Sequence, residues 1–227
     1  WSKLGTGYYH CFAIKTDGTL WGWGRNDAGQ LGTGDRIYPS SPVQIGALTT
    51  WDKVQGGRRF TLAVKTDNTL WAWGENWFSG GQLGLGDKIY RSSPVQVGAL
   101  TNWATPTCGR ESSYCVKTDG TLWSWGDNSS YGMLGHGNTT DVSSPVQVGS
   151  LTNWSQPGAA QYAAFCVKTD GTLWSWGGNI NGQLGQNNAT NYDSPVQIGS
   201  LTDWSKVVAM SPDYDGLLAI LQSRTGM

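Results

Sequence analysis

A stretch of about fifty residues recurs four times along this chain, and this recurrence limits the possible folds more than any other feature. Five tryptophans, spaced 50, 52, 51 and 50 residues apart, mark its origins: Trp1, Trp51, Trp103, Trp154 and Trp204. Each full copy carries a later pair of tryptophans before glycine, for which we predict a structural role: Trp21, Trp23, Trp71, Trp73, Trp123, Trp125, Trp174 and Trp176. A unit this short cannot bury its apolar faces alone, so neighbouring units have to stack.

The copies divide the chain into four full units and a partial one, which we expect to form one domain. The units are residues 1–50, 51–102, 103–153, 154–203 and 204–227. The last unit lacks the segment with the tryptophan pair. Length differences between the full units fall in one segment, which begins at Asn26 in the first copy. Such variation is typical of an exposed loop on a fixed scaffold.

Short strands are the local signal within each copy. Two runs rich in apolar and β-branched residues flank Asp17-Gly18, and this dipeptide predicts a two-residue hairpin with a type I′ turn. A strand at the first tryptophan and another after the Ser-Pro-Val-Gln proline raise the count to about four. Proline cannot donate to a strand ladder, so the latter strand should lie at the sheet edge. Sustained helical periodicity is missing, and helix should be scarce.

Four strands per fifty residues predict an all-β fold, a β-propeller of four-stranded blades. In this arrangement the paired tryptophans should lie between neighbouring blades, where burying large aromatic rings is most favourable. A linear β-solenoid is the alternative, but its repeats are usually shorter and lack a hairpin in each copy.

The repeat resembles a known family. The segments that carry the resemblance are Ala13–Gly24 (AIKTDGTLWGWG), Gly29–Asp35 (GQLGTGD) and Ser41–Gly46 (SPVQIG). They are similar to the regulator of chromosome condensation (alpha-tubulin suppressor-like) repeat over about residues 1–210. Their sequences look more like those of the prokaryotic and phage members of this family than those of the eukaryotic members. The resemblance implies a seven-bladed type of propeller. Because four full copies and a partial fifth are present, we expect an incomplete arc of a larger propeller or assembly. The basic tails and blade insertion of the nuclear exchange-factor members are not seen, so we do not transfer that activity.

Composition excludes several classes of function. The net charge is -1 and only 14% of residues are charged, which argues against binding nucleic acid, since this requires a surplus of lysine and arginine. No apolar run is long enough to cross a bilayer, so we expect no membrane insertion.

The residues that usually carry chemistry are few. The four cysteines form no C-x-x-C pair, and Cys115 and Cys166 occupy a position where other copies have alanine, so we interpret them as small buried residues. His10 and His136 belong to loops of different copies, and we interpret both as structural or exposed. Asp17, Asp67, Asp119 and Asp170 recur as turn formers. We therefore predict no metal, no cofactor and no enzyme activity.

Binding residues are expected where copies differ within a constant frame. The segment after the first strand varies most, and we predict that it forms one rim of the propeller and contacts a protein partner. Its candidate residues are Tyr8, Tyr9, His10, Arg58, Arg59, Phe60, Arg110, Glu111 and Tyr162, with Trp77, Phe78 and Tyr131 as a second loop surface. Tyrosine, tryptophan and arginine are enriched in interaction hot spots. Ordinary loop decoration with partial packing is the alternative interpretation.

Two functions fit these observations. The first is a structural or interaction scaffold, a component of a larger assembly such as a phage particle or a cell-surface appendage. The second is a secreted, inhibitor-like recognition module that uses one propeller rim. Both favour an extracellular or virion location.

Overall fold

The structure is a computed structural model that describes residues 1–76, 80–208 and 219–222. Its strands form four sheets of four, which we call blades 1 to 4, and one strand pair. Blade 1 contains β1 Lys3–Thr6, β2 His10–Ile14, β3 Leu20–Gly24 and β4 Val43–Gln44; blade 2 contains β5 Trp51–Gly56, β6 Phe60–Lys65, β7 Leu70–Gly74 and β8 Arg91–Gln96. Blade 3 contains β9 Trp103–Cys108, β10 Ser112–Lys117, β11 Leu122–Gly126 and β12 Val142–Gln147; blade 4 contains β13 Trp154–Ala159, β14 Ala163–Lys168, β15 Leu173–Gly177 and β16 Tyr192–Gln197. The pair is β17 Trp204–Val208 with β18 Ala219–Gln222.

Each blade is an antiparallel meander whose spatial order follows the chain. The first strands of successive blades contact one another, β1 with β5, β5 with β9, β9 with β13 and β13 with β17, so they surround a common axis. The strand with the Ser-Pro-Val-Gln segment is the outer edge of every blade, as predicted from its proline. Helix is not found in the described ranges. The predicted all-β fold of four-stranded blades is confirmed.

The predicted type I′ turn is wrong. Such a turn requires positive φ at both central residues, yet Gly18 has φ 79° while Asp17 is not among the residues with positive φ. Gly18 N–H donates to the Lys15 carbonyl at 3.0 Å, which makes a type I turn followed by one left-handed residue. Asn68 takes the glycine position in blade 2 with φ 60°, since asparagine tolerates this region.

In blades 2 to 4, both tryptophans of each pair contribute to the layer between adjacent blades, as expected, but they differ in burial. The second is fully buried in blades 2 to 4, and its indole N–H donates to a main-chain carbonyl of the preceding blade. These bonds are Trp73 to Gln30 (2.9 Å), Trp125 to Gln82 (2.9 Å) and Trp176 to Met133 (2.8 Å). Trp23, in blade 1, is half-buried.

The first tryptophan of each pair is half-buried. It packs against the tryptophan that opens its own blade and, in blades 2 to 4, against the layer shared with the preceding blade. In blade 2, Trp71 meets Trp51 edge-on with centroids 6.1 Å apart, and Lys65 Nζ lies 3.4 Å from the Trp71 ring centroid. The same stack recurs in blades 3 and 4, with Lys117 at 3.6 Å and Lys168 at 3.5 Å from their rings. These lysines are buried, and burial lowers their pKa. The stack therefore combines aromatic packing with a cation–π contact.

The apolar core is a series of layers between adjacent blades. One layer joins Phe12 and Leu20 of blade 1 to Val54 and Trp73 of blade 2. The cysteine prediction is confirmed, since Cys115 and Cys166 are free, fully buried thiols in such layers. Burial raises the pKa of both thiols to about 12, so they stay protonated.

Candidate functional site

The loops between the first and second strands of the blades meet at one end of the molecule. Each begins with a tight turn; in blade 1, Gly7 N–H donates to the His10 carbonyl at 2.9 Å. Main-chain bonds link successive loops, because Tyr8 N–H donates to the Gly57 carbonyl and Arg58 N–H to the Arg110 carbonyl, both at 3.2 Å. Residues that sequence analysis assigned to separate copies therefore form one continuous surface. We call it the rim: residues 8–9, 25–27, 58–59, 75, 90, 110–111, 127, 131 and 161–162.

A second layer of the rim comes from the position between glycine and asparagine in the Trp-Gly-x-Asn segment. The main-chain N–H of this residue donates to the neighbouring loop carbonyl at 2.7–2.9 Å: Arg25 to Tyr9, Glu75 to Arg59, Asp127 to Glu111 and Gly178 to Tyr162. Sequence analysis missed these residues, although the signal was present. The position holds Arg, Glu, Asp or Gly inside an otherwise constant segment.

The following asparagine fixes the long loop behind the rim. Asn26 Oδ1 accepts from Leu31 N–H at 2.9 Å, and its amide nitrogen donates to the Asp35 carbonyl at 3.2 Å. Asn76, Asn128 and Asn179 make equivalent bonds. A fully buried amide with several partners holds the loop in one conformation, so the variable side chains are displayed from a fixed frame.

Ion pairs join the rim of blade 1 to that of blade 2. Arg59 donates to Asp27 Oδ2 at 2.5 Å and to Glu75 Oε1 at 3.1 Å, and Arg25 binds Asp27 through two bonds of 3.0 and 2.8 Å. Burial alone would raise the pKa of Asp27, but hydrogen bonds from Arg25, Gln30 and Arg59 outweigh it and hold this pKa well below its usual range. The carboxylate is therefore charged at any ordinary pH.

The other half of the rim is joined by an ion pair, a hydrogen bond and an aromatic contact. Arg58 donates to Glu111 Oε1 at 3.2 Å, Arg110 donates to the Tyr162 hydroxyl at 3.1 Å, and Tyr162 packs edge-on against Tyr131 at 5.1 Å. Burial raises the pKa of Glu111, although Arg110 opposes this effect. A polar cavity of about 150 Å³ opens beside Arg110, Glu111 and Tyr162.

The predicted rim residues divide into surface and buried groups. Tyr9 is 57% exposed and its ring contacts that of Tyr8 at a tilt of 50°, with centroids 3.9 Å apart. His10 and Phe60 are 1% and 0% exposed, because each is the first residue of a central strand and its side chain faces the neighbouring blade. His10 thus lies in a strand and not, as expected, in a loop. Tyr131 joins the rim through Tyr162, whereas Trp77 and Phe78 lie outside the described residues.

The rim presents polar and aromatic groups. Its side chains present phenol, guanidinium and carboxylate groups. Within the described part of the chain, no three histidine, cysteine or acidic residues gather as metal ligands. The repeated aspartates lie away from the rim, and Asp17, for example, accepts from the main chain and hydroxyl of Thr19 at 2.9 and 2.6 Å. In the same described ranges, no helix is long and apolar enough to cross a membrane.

Comparison with curated proteins gives relatives built from the same repeat. The chain is 34% identical to the ultraviolet-B receptor UVR8 of Arabidopsis thaliana over 181 residues, covering 78% of this chain and 41% of the receptor. It is 29% identical to the human E3 ubiquitin-protein ligase HERC2 over 183 residues, covering 77% of this chain and 4% of the ligase. The chain thus spans less than half the length of these relatives.

Solved structures show the same fold. Human WBSCR16 superposes with a TM-score of 0.81 at 22% identity, covering 91% of this chain and 55% of that structure. Prp20p of Saccharomyces cerevisiae superposes with a TM-score of 0.78 at 21% identity, covering 89% and 51%. The family model of the regulator of chromosome condensation (RCC1) repeat matches residues 17–64, 67–116, 119–167 and 170–211, and a second model of this repeat matches 1–30 and 51–82. This protein therefore belongs to the RCC1 repeat family.

Proposed function

We propose that the protein is a non-enzymatic interaction scaffold that binds a protein partner through the rim. The observation that carries this proposal is the contrast between a repeated frame and a rim that differs in every blade. Arg59 reaches Asp27, Arg58 reaches Glu111 and Arg110 reaches Tyr162, each across a blade boundary. A surface assembled from different residues on every blade can match one partner, which a surface of identical repeats cannot.

The relatives support a protein as the class of partner. Prp20p of Saccharomyces cerevisiae binds Gsp1p and histones, and yeast RCC1 (Prp20) has been solved in complex with Kap60. These partners are those of the yeast protein. Ligase activity is not transferred from HERC2, because this chain covers 4% of it.

We further propose that the partner is a subunit of a larger assembly, such as a phage particle or a cell-surface appendage. A repeated apolar feature supports this proposal. The end of each copy exposes a leucine at the same position: Leu48 (46%), Leu100 (49%), Leu151 (44%) and Leu201 (51%). Repeated exposed apolar side chains suit packing against neighbouring subunits. The alternative is a secreted, inhibitor-like module, and the exposed Tyr9 beside Arg25 supports it, since both are hot-spot residue types.

The test combines size measurement and rim substitution. Light scattering on native material distinguishes a multi-copy or particle-bound species, expected for an assembly component, from a free monomer, expected for a secreted module. Crosslinking with quantitative mass spectrometry then compares the wild type with the triple variant Tyr9→Ala, Arg58→Ala and Arg59→Ala. We expect the specific partner to be lost. The control is Thr16→Ala, at an exposed position in the hairpin at the other end of blade 1, which should retain the partner. If the triple variant folds and retains the partner unchanged, the rim is not the binding surface.

A further inference from the structure

We propose that the groove between blades 3 and 4 is a binding site for a neutral saccharide. The groove lies on the outer side of the blades, away from the rim, between strands β12 and β16. Its cavity of about 660 Å³ is in the usual range for small-ligand sites, roughly 300–1,000 Å³. It is bounded by the loop after β11, where Gly137 N–H donates to the Asp193 carbonyl at 2.9 Å. This bond fixes the two blades against each other at the groove.

The groove combines aromatic and apolar walls with polar side chains. The half-buried indole of Trp174 lines it, and Val146 and Leu151 form walls that are 41% and 44% exposed. The polar groups are the side chains of His136, Asn138, Thr140, Gln147 and Ser194. None of the described residues that line this groove is aspartate, glutamate, lysine or arginine.

The histidine in this set is neutral near pH 7. A ring nitrogen of His136 lies 2.9 Å from Ser124 Oγ, and burial lowers the pKa of the imidazole. Gln186 holds the same position in blade 4 and donates to Ser175 Oγ at 3.2 Å. An uncharged histidine thus replaces an uncharged amide. The side chains that line the groove therefore carry no formal charge.

These groups match the chemistry of a neutral sugar. A pyranose ring has apolar C–H faces that pack on an indole, and its hydroxyl groups both donate and accept hydrogen bonds. Amide and hydroxyl side chains do the same, in contrast to lysine, arginine or carboxylates. A phosphate or acidic sugar would lose its hydration here without gaining a counter-charge, which is unfavourable. A proline-rich peptide would use the aromatic wall but few of the five polar side chains.

The equivalent groove between blades 2 and 3 provides an internal comparison. It is lined by the corresponding Trp123, but its cavity is about 300 Å³ and Leu85 replaces His136. In blade 2, Arg91 donates to Asp87 Oδ2 at 2.6 Å and to the Ile89 carbonyl at 2.8 Å. The smaller cavity does not extend to this ion pair.

Blade 3 has different residues at the positions of the ion pair. Asn138 stands where blade 2 has Asp87, and Val142 stands where it has Arg91. Both line the larger cavity. The loss of a long, ion-paired arginine therefore accounts for the extension of the groove in blade 3.

Saturation-transfer NMR on the full chain tests the proposal. The probes are the neutral sugars lactose, maltotriose, cellotriose and chitobiose, with sialyllactose as the acidic counterpart of lactose. We expect saturation transfer to at least one neutral sugar and none to sialyllactose. The double variant Asn138→Asp and Val142→Arg, which copies the ion pair of blade 2, should weaken binding about tenfold or more. The matched control, Asp87→Asn and Arg91→Val, alters only the groove between blades 2 and 3 and should bind the sugar at least as well as the wild type.

Three results would overturn the proposal. They are no transfer to any of the four neutral sugars, unchanged transfer in the Asn138→Asp and Val142→Arg variant, and binding of a proline-rich peptide that competes with the sugar signal. Circular dichroism checks the fold of each variant. If the double variant does not fold, His136→Leu, which copies Leu85 of blade 2, takes its place with the same expected loss of binding.

Discussion

The two ends of each blade differ in how strictly they repeat. At the hairpin end, a lysine lies 3.4–3.6 Å from the centroid of a tryptophan ring in blades 2, 3 and 4, and an aspartate binds a threonine in all four blades. At the rim, the loops that join the first and second strands carry tyrosine, arginine, glutamate or glutamine. The repeated end stabilises the stack, and the variable end carries the recognition that we propose. Substitutions at the hairpin end should therefore change mainly the free energy of unfolding, and substitutions at the rim should change mainly partner binding.

The largest effect is expected from the tryptophan between blades. Trp125→Ala removes a fully buried indole and its bond to the Gln82 carbonyl, and it should lower the free energy of unfolding by about 3–5 kcal/mol. Trp123→Ala, at the half-buried partner, is the matched control and should lower it by less. Chemical denaturation measures both. Equal losses would contradict the different positions of the two indoles.

Acid should weaken the boundary between blades 1 and 2 through His10. Burial lowers the pKa of this histidine from 6.5 to about 4. The unfolded chain therefore binds the proton more readily, so stability is full above pH 6.5 and falls as the pH drops from 6.5 to 4. The expected loss is about 3 kcal/mol. Denaturation across this pH range measures it, and His10→Phe, which copies Phe60 of blade 2, should remove this part of the dependence. An unchanged pH profile in that variant would refute the assignment.

A moderate effect is expected in the repeated hairpin. Asp119 accepts from Thr121 N–H at 3.0 Å and from Thr121 Oγ1 at 2.6 Å, and the same hydroxyl accepts from the Trp123 indole at 2.9 Å. Asp119→Ala should lower stability by about 1–2 kcal/mol. Asp119→Asn keeps an acceptor oxygen and should lose less. Thermal unfolding compares the two variants, and equal losses would show that the carboxylate acts by its charge and not as an acceptor.

The smallest effect on stability is expected at the rim. Arg58 and Glu111 form a partly exposed pair, with side chains 35% and 21% exposed, so Arg58→Ala should change the free energy of unfolding by at most about 1 kcal/mol. The same variant should weaken partner binding. Measuring the free energy of unfolding and the affinity for the partner distinguishes the roles of the two ends of the blade. A large loss of stability with unchanged binding would reverse the roles assigned to them.

The blades were predictable because their signal is periodic. Spacing and composition identify four strands per copy, and the proline in Ser-Pro-Val-Gln identifies the edge strand. The hairpin type was not predictable, because Asp-Gly fits both a type I′ turn and a type I turn with one left-handed residue. What decides between them is the carboxylate of Asp17, which binds the main chain two residues ahead.

The rim was predictable in part. Its loops could be found by comparing the copies, but its contacts could not. Arg59 meets Asp27 from 32 residues away, across a blade boundary, so their pairing depends on how adjacent blades twist against each other. The burial of His10 likewise depends on strand register, which a single loop segment does not reveal.

The bond from an indole to the preceding blade has a consequence for how such chains can lengthen or shorten. Its acceptor is a main-chain carbonyl, and it serves equally well when the residue is Gln30, Gln82 or Met133. The bond therefore does not depend on the side chain of the acceptor residue. The junction does require the glycine two residues later, since a Cβ at Gly84 would lie 2.7 Å from Trp125 Nε1. A blade that is inserted or deleted would therefore leave neighbouring blades that can still form this bond. Gene duplication can thus change the number of blades without requiring a new interface between them.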